Sequence, residues 1–489
     1  MSNYPSQLDP LDPAADAQAE AQADATAAAQ ALYDAPADPH RARRARALKL
    51  SIVSSVLTRP ISLLLPLVTV PLFYKYLGGK ERYGLYESIG AVALYIGMVN
   101  AGLTLGLINN LTHAEVKGDR LLARRYISSI VVALLALMII AIALLSVVTP
   151  LIRWPASWVD NPLTARETPR AFWTASALIV IGFLAGVPQA VYLAYQETHR
   201  NNIWDGVAKL LSLVACFGVV WFPNLGIVGV ILAVSGTQTL VRVVNLIDLL
   251  FREKRFLLPK PSLFSWRLLK EMTAANVLLF VLQMSSVVLF QSDKVIVGIG
   301  RGPEDVAGYS ILGRLFLTGY GVYMMLLTPL WPASGEALRR GDVAWVRKSL
   351  RYSMVIGCGM MLAGGLALLL FTQPVLSRIK GAQGLTISRS LIVAVTLTFI
   401  LRAWIDCRSI ILNSVNVLLP QICFYTGHAL LNLFVGILVV KRWGVEGVAW
   451  STFFTGLISS AWGYPWMIRR FIMPAADRAQ AEAVAGRAS

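Results

Sequence analysis

The residues able to do chemistry in this chain are charges embedded in apolar sequence. Arg59, Glu87, Asp293, Lys294, Arg314, Arg402 and Asp406 all lie inside long hydrophobic segments. An ionised side chain there costs at least a few kcal/mol, so each calls for a functional role or a partner. Arg59 and Arg314 sit about a third of the way into their segments, with no acid close by in sequence. Arg402 and Asp406 are four apart on one helical face and can pair with each other. Asp293 and Lys294 are adjacent, so on a helix they point in different directions. Lys209 and Arg242 lie near segment ends, from which they can snorkel.

Guanidinium groups offer a planar fork suited to phosphate. Cations such as Arg59 and Arg314 lining a cavity therefore favour an anionic cargo, whereas a site for organic cations would show lone carboxylates. Glu87 and Asp293 keep proton or cation coupling open, and Asn100, Asn276 and Gln283 add polar groups to the same segments. Catalytic motifs are missing: the chain has no P-loop, HExxH, GxSxG or DxD-type metal site in a sizeable loop, and the largest loops, at 153–170 and 251–267, are too short for a catalytic domain. A polymerase working from its own membrane helices stays open on this argument. Cys216, Cys358, Cys407 and Cys423 fall in or beside apolar runs without CxxC spacing or a His cluster, so they read as small buried hydrophobes. No catalytic residue, metal site or cofactor is expected.

The elements that hold these residues are membrane spans. Apolar residues make up 56% of the chain and charged residues only 15%, with a mean hydropathy of +0.61. Both shifts depart from a soluble domain in one direction. Uncharged runs such as 127–152, 172–195 and 352–372 reach the roughly 20 residues that a helix needs to cross hydrocarbon. The pattern predicts an all-α polytopic membrane protein with about twelve transmembrane helices, near 50–74, 84–111, 126–152, 171–195, 203–222, 227–250, 268–298, 305–333, 345–372, 387–411, 418–440 and 446–469. The first of these is interrupted by Pro60, Pro66 and Pro71, which bend or break it.

Basic residues set the orientation. Arg41, Arg43, Arg44, Arg46 and Lys49 precede the first span, and alternate loops carry clusters such as Lys117, Arg120, Arg124 and Arg125 or Arg339, Arg340, Arg347, Lys348 and Arg351, while the intervening loops are sparser. The positive-inside rule places both termini in the cytoplasm. The net charge of +17 is thus read as topology, with a lesser role in binding anionic lipid, and not as a nucleic-acid surface. The acidic residues 1–46, low in apolar content, read as a disordered cytoplasmic tail without signal-peptide character.

The chain also repeats itself. Lys117-Gly118-Asp119 followed by Arg124-Arg125 recurs as Arg340-Gly341-Asp342 followed by Arg347-Lys348, at an offset of 223 that also carries Tyr86 onto Tyr309. Leu225-Gly226-Ile227-Val228-Gly229-Val230 matches Trp443-Gly444-Val445-Glu446-Gly447-Val448 at an offset of 218. Two pseudo-symmetric six-helix lobes in parallel orientation follow: an N-lobe at 47–250, a cytoplasmic linker at 251–270, a C-lobe at 271–470 and a C-terminal cytoplasmic tail at 471–489. Paired halves in a membrane favour alternating access around a site between them, hence a transporter.

The run Tyr76-Leu77-Gly78-Gly79-Lys80-Glu81-Arg82-Tyr83-Gly84-Leu85-Tyr86 resembles the "LG, then YG and an aromatic" signature of polysaccharide-biosynthesis membrane transporters. Gln291-Ser292-Asp293-Lys294-Val295-Ile296-Val297-Gly298, with Val306-Ala307-Gly308-Tyr309 and Gly313-Arg314-Leu315, resembles the start of their second half, and Gly444-Val445-Glu446-Gly447-Val448-Ala449 resembles the start of their last core span. The likeness runs from about Leu48 to Arg470 and is shared across the superfamily of multidrug, oligosaccharidyl-lipid and polysaccharide exporters.

The resemblance implies a flippase for polyprenyl-diphosphate-linked oligosaccharide in the bacterial cytoplasmic (inner) membrane, with membrane lipid, glycosyltransferases and a glycan polymerase as working partners. It further implies that Arg59, Arg314 and, by a looser match, Arg402 meet the diphosphate. Twelve spans favour the O-antigen or exopolysaccharide branch over the peptidoglycan-precursor flippases, which carry an extra pair. The other readings are a multidrug and toxin extruder, dependent on Glu87 or Asp293, and the membrane-embedded glycan polymerase.

Overall fold

Inside lipid a backbone satisfies its own polar groups only as helix or closed barrel, and no strand occurs among the described residues of this computed structural model. The structure describes residues 68–97, 101–274, 277–327, 330–339, 342–378, 387–415 and 417–472, with scattered positions from 50 to 66. The N-terminal tail, almost all of the C-terminal tail, Arg59, Asn100 and Asn276 lie outside the described residues.

After a first helix that includes residues 68–76, the chain forms α1 (Lys80–Gly97), α2 (Ala101–Val116) and α3 (Arg120–Val148). Next come α4 (Pro162–Ala185), α5 (Val187–Ala194), α6 (Thr198–Val219), α7 (Gly226–Ile231) and α8 (Thr237–Asp248). The second half holds α9 (Trp266–Ala274), α10 (Val277–Gly300), α11 (Pro303–Leu327), α12 (Leu330–Arg339), α13 (Val343–Arg378), α14 (Arg389–Ser414) and α15 (Leu419–Met467). Nine stretches among the described residues are long and apolar enough to cross a bilayer. The last of them bends at Gly444, where φ is +62° and ψ is −151°, so it supplies the two expected spans near 418–440 and 446–469. The expected span at 84–111 corresponds to two helices, α1 and α2. Large apolar side chains on the outside of α3, among them Ile139, Ile140 and Leu144, are exposed because lipid, not protein, is their solvent.

The internal repeat is visible in the backbone. Pro303 opens α11 223 positions after Lys80 opens α1, and Val343 opens α13 223 positions after Arg120 opens α3. The aspartates of the repeated motif do the same work: Asp119 Oδ1 accepts from Leu122 N at 2.8 Å, and Asp342 Oδ1 accepts from Trp345 N at 3.0 Å. Each is an N-cap that satisfies a backbone donor left free at a helix start. Gly226 and Gly444, the paired glycines of the second motif, both have positive φ, at +52° and +62°.

The halves meet most closely where the equivalent helices α1 and α11 run together. A Cβ on Gly84 would sit 1.6 Å from the Pro303 carbonyl oxygen, so only glycine lets α1 approach the start of α11. On the same face Lys80 pairs with Glu304 at 2.7 Å, and Trp158 Nε1 donates to the Gly298 carbonyl at 2.8 Å. The segment joining the halves packs at the opposite end of α3. There Arg124 Nε donates to Leu258 O at 2.8 Å, while the amides of Lys260 and Ser265 donate to Ser128 and Ser129 at 3.1 and 3.0 Å.

Candidate functional site: a charge cluster between the halves

Tyr83, Glu87 and their helix α1 belong to the first half, and α10 and α11 bring Lys294 and Arg314 from the second. The Glu87 carboxylate is 3% exposed; Lys294 Nζ donates to its Oε2 at 2.9 Å, and Arg314 Nη2 pairs with its Oε1. Tyr83 Oη adds a donor to Oε1 at 3.3 Å. The carboxylate thus sits in a three-donor cradle, two of whose members are cations from the other half. Arg314, without an acid near it in sequence, is neutralised by one 227 positions away.

Lys294 and Asp293 do face different ways. Asp293, 1% exposed, accepts from Tyr309 Oη at 2.7 Å, Asn432 Nδ2 at 2.9 Å and Thr452 Oγ1 at 2.7 Å. All three donors are neutral, so among the described residues this carboxylate is solvated by hydrogen bonds without a counter-ion in direct contact. That arrangement suits a group that gains and loses a proton or a small cation.

Arg402 on α14 occupies a third environment. Its guanidinium carbon lies 3.9 Å from the Phe290 ring centroid and 4.3 Å from that of Tyr320, a geometry that stabilises a cation by the ring quadrupole. The expected partner Asp406 is 3.5 Å from Arg402 Nε and accepts from Tyr320 Oη. Among the described residues Nη1 of Arg402 has no hydrogen-bond partner, and Nε has only the ion-pair contact with Asp406.

Lys294, Arg314 and Arg402 line one cavity of about 80 Å³, together with Phe290, Asp293 and Tyr309. Among the described residues the carboxylates Glu87 and Asp406 accompany these cations in direct ion pairs, and Asp293 lies beside them in the wall. Gln283 is exposed on α10 and is not part of this wall. The residues that a sequence reading passes over are Lys294 as a cavity cation and the neutral donors Tyr309, Asn432 and Thr452. Tyr309 stood in a repeated motif, but Asn432 and Thr452 reach Asp293 from more than 130 positions away.

A family profile described as polysaccharide biosynthesis protein matches residues 49–338, a stretch that holds Glu87, Asp293, Lys294 and Arg314. The chain belongs to that family. As a member of the polysaccharide biosynthesis proteins it resembles a Salmonella typhi protein provisionally named an O-antigen transporter, at 20% identity over 84% of this chain and 94% of the relative. A Yersinia pseudotuberculosis protein provisionally named for O-antigen export is 19% identical over 84% of this chain and 93% of its own length. Among solved structures, an inward-facing multidrug resistance MATE family transporter of the MOP superfamily aligns with a TM-score of 0.71 at 14% identity, covering 87% of this chain and 99% of the other. The lipid II flippase MurJ in an inward closed conformation aligns with a TM-score of 0.61 at 13% identity, covering 89% and 90%. Family and apolar helices together make the chain a multi-pass membrane protein of polysaccharide biosynthesis.

Proposed function

We propose that this polysaccharide biosynthesis protein flips a polyprenyl-diphosphate-linked oligosaccharide from the cytoplasmic to the outer leaflet, with both of its termini in the cytoplasm. The carrying observation is the convergence of Lys294, Arg314 and Arg402 on one cavity within the membrane region. A diphosphate is the part of such a substrate that least tolerates hydrocarbon, and paired guanidinium donors are its best substitute for water. The prenyl chain stays in lipid and the sugars follow the head group through the space between the halves. Support for this substrate class also comes from relatives named for O-antigen transport and from a fold shared with a lipid II flippase.

In this reading the basic loops are cytoplasmic, and the face closed by Lys80–Glu304 and Trp158–Gly298 is the outer one. In that orientation the carrier is closed toward the outside and loads from the cytoplasmic side. Asp293, held by neutral donors alone, is the group we assign to proton or cation coupling. Glycan polymerase and glycosyltransferases would act on either side of this step. Deleting the gene tests the reading: lipid-linked oligosaccharide should accumulate on the cytoplasmic leaflet, and Arg402→Ala should fail to relieve it. Unchanged lipid-linked pools with a heightened sensitivity to organic cations would favour drug extrusion instead.

A further inference from the structure

The cavity assigned to the diphosphate already holds an anion that belongs to the protein. Glu87 approaches from the first half and takes Lys294 Nζ at 2.9 Å and Arg314 Nη2 from the second. Both cations also line the cavity beside Arg402. An ammonium and a guanidinium gripping a carboxylate present the same donors to a phosphate oxygen. We infer that Glu87 is an internal stand-in for the substrate's phosphate and that Lys294 is a further substrate-binding residue. The diphosphate first meets Arg402 in the cavity wall, then takes Lys294 and Arg314 from Glu87.

Two cations in a membrane interior are stable only while an anion accompanies them. Exchange of Glu87 for phosphate keeps them paired throughout, so loading carries no step with bare charges. The same exchange removes the buried ionic tie between α1 and the α10–α11 pair. On that face the halves then remain joined by the close approach of Gly84 to Pro303, the half-exposed pair Lys80–Glu304, the Ser157 and Trp158 hydrogen bonds to Gly298, and an apolar core that includes Tyr83, Leu85 and Ile89 with Ala307 and Leu312. Exposed pairs of that kind contribute little. Substrate loading therefore weakens the outer closure by removing its buried ionic tie, and the tie re-forms when the substrate leaves.

This inference rests on the phosphate reading of the cavity, and one titration separates the two. Inorganic pyrophosphate is titrated calorimetrically into the full-length protein purified in detergent, comparing the parent with Glu87→Gln, Glu87→Asp, Lys294→Gln and Arg402→Ala, each first checked for cooperative thermal unfolding. Glu87→Gln should bind pyrophosphate roughly tenfold tighter than the parent, a change of about 1.4 kcal/mol, because its internal competitor is gone. Glu87→Asp, with a shorter reach to the same cations, should fall between the two and covers the case in which the amide variant does not fold. Lys294→Gln and Arg402→Ala should each bind more weakly than the parent. Equal affinity of the parent and both Glu87 variants would overturn the stand-in role while leaving the phosphate site intact. Absence of binding in the parent and in both Glu87 variants would remove the phosphate site and this inference with it.

Discussion

Glu87 Oε2 lies 2.9 Å from Lys294 Nζ across 207 positions of chain, and this pair ties one half of the transporter to the other. Removing one member of a buried pair leaves the other charge without compensation. Glu87→Ala should therefore destabilise the protein by about 3–5 kcal/mol, seen as a lowered midpoint of thermal unfolding in detergent. Glu87→Ala/Lys294→Ala should recover part of that loss. A double variant no more stable than Glu87→Ala would mean the two side chains do not act as a pair.

Arg402 should divide charge from geometry. Arg402→Ala is expected to abolish surface glycan while the protein stays inserted at parental levels. Arg402→Lys, which keeps the charge but loses the planar fork and much of its stacking on Phe290 and Tyr320, should give a partial loss. Quantitative glycan staining beside an immunoblot of the membrane fraction provides the measurement. Wild-type glycan from Arg402→Ala would separate this residue from transport.

Backbone conformation gives a third expectation. Gly226 and Gly444 have φ of +52° and +62° with ψ of −135° and −151°, a region that side-chain-bearing residues occupy at about 1–3 kcal/mol. Gly444→Ala has only the Arg301 side chain nearby, at 3.5 Å. A Cβ on Gly226 would lie 1.8 Å from Glu167 Oε1 and would break into the Glu167–Arg82 ion pair. Gly226→Ala should consequently lower the unfolding midpoint more than Gly444→Ala does; the reverse order would show that the strain, and not the collision, dominates.

Much of this was legible in the sequence because lipid permits so few solutions. Uncharged runs of span length had to be helices, and the expected ends came close to those of α14, whereas α4 begins nine residues before the expected start because Asn161 caps it at Pro162. The two repeated motifs mark equivalent turns in both halves, since Asp119 and Asp342 cap helices and Gly226 and Gly444 turn the chain alike. The i,i+4 spacing brought Arg402 near Asp406 as expected. The partners of Glu87, Asp293 and Arg314 were not legible. Helical periodicity reports which residues share a face of one helix, and these contacts depend on which helices become neighbours. Nor did the span pattern reveal that Gln283 would be left exposed while Lys294 entered the cavity wall.

The fold also makes a prediction about closure. Gly84 leaves no room for a side chain against the Pro303 carbonyl, so Gly84→Leu should wedge α1 away from α11. With Cys216, Cys358, Cys407 and Cys423 replaced and a reporter cysteine at Ser157, which contacts Gly298 across the closed face, labelling by a membrane-impermeant maleimide on whole cells should rise several-fold over the Gly84 parent. Unchanged labelling would place the closed face elsewhere.

Asp293→Asn keeps the shape of the side chain but removes its charge among Tyr309, Asn432 and Thr452. We expect insertion to persist and surface glycan to fall sharply. Normal glycan levels from this variant would exclude Asp293 from coupling.

The step we propose for this protein, movement of a lipid-linked diphosphate across the bilayer, can be watched directly. Purified protein is reconstituted into vesicles carrying a polyprenyl-diphosphate-linked oligosaccharide, and the fraction of glycan reachable by an external glycosidase is followed with time. The account predicts that the parent protein makes both leaflets accessible while Arg402→Ala vesicles match protein-free ones. Equal access with the parent protein and without any protein would contradict it.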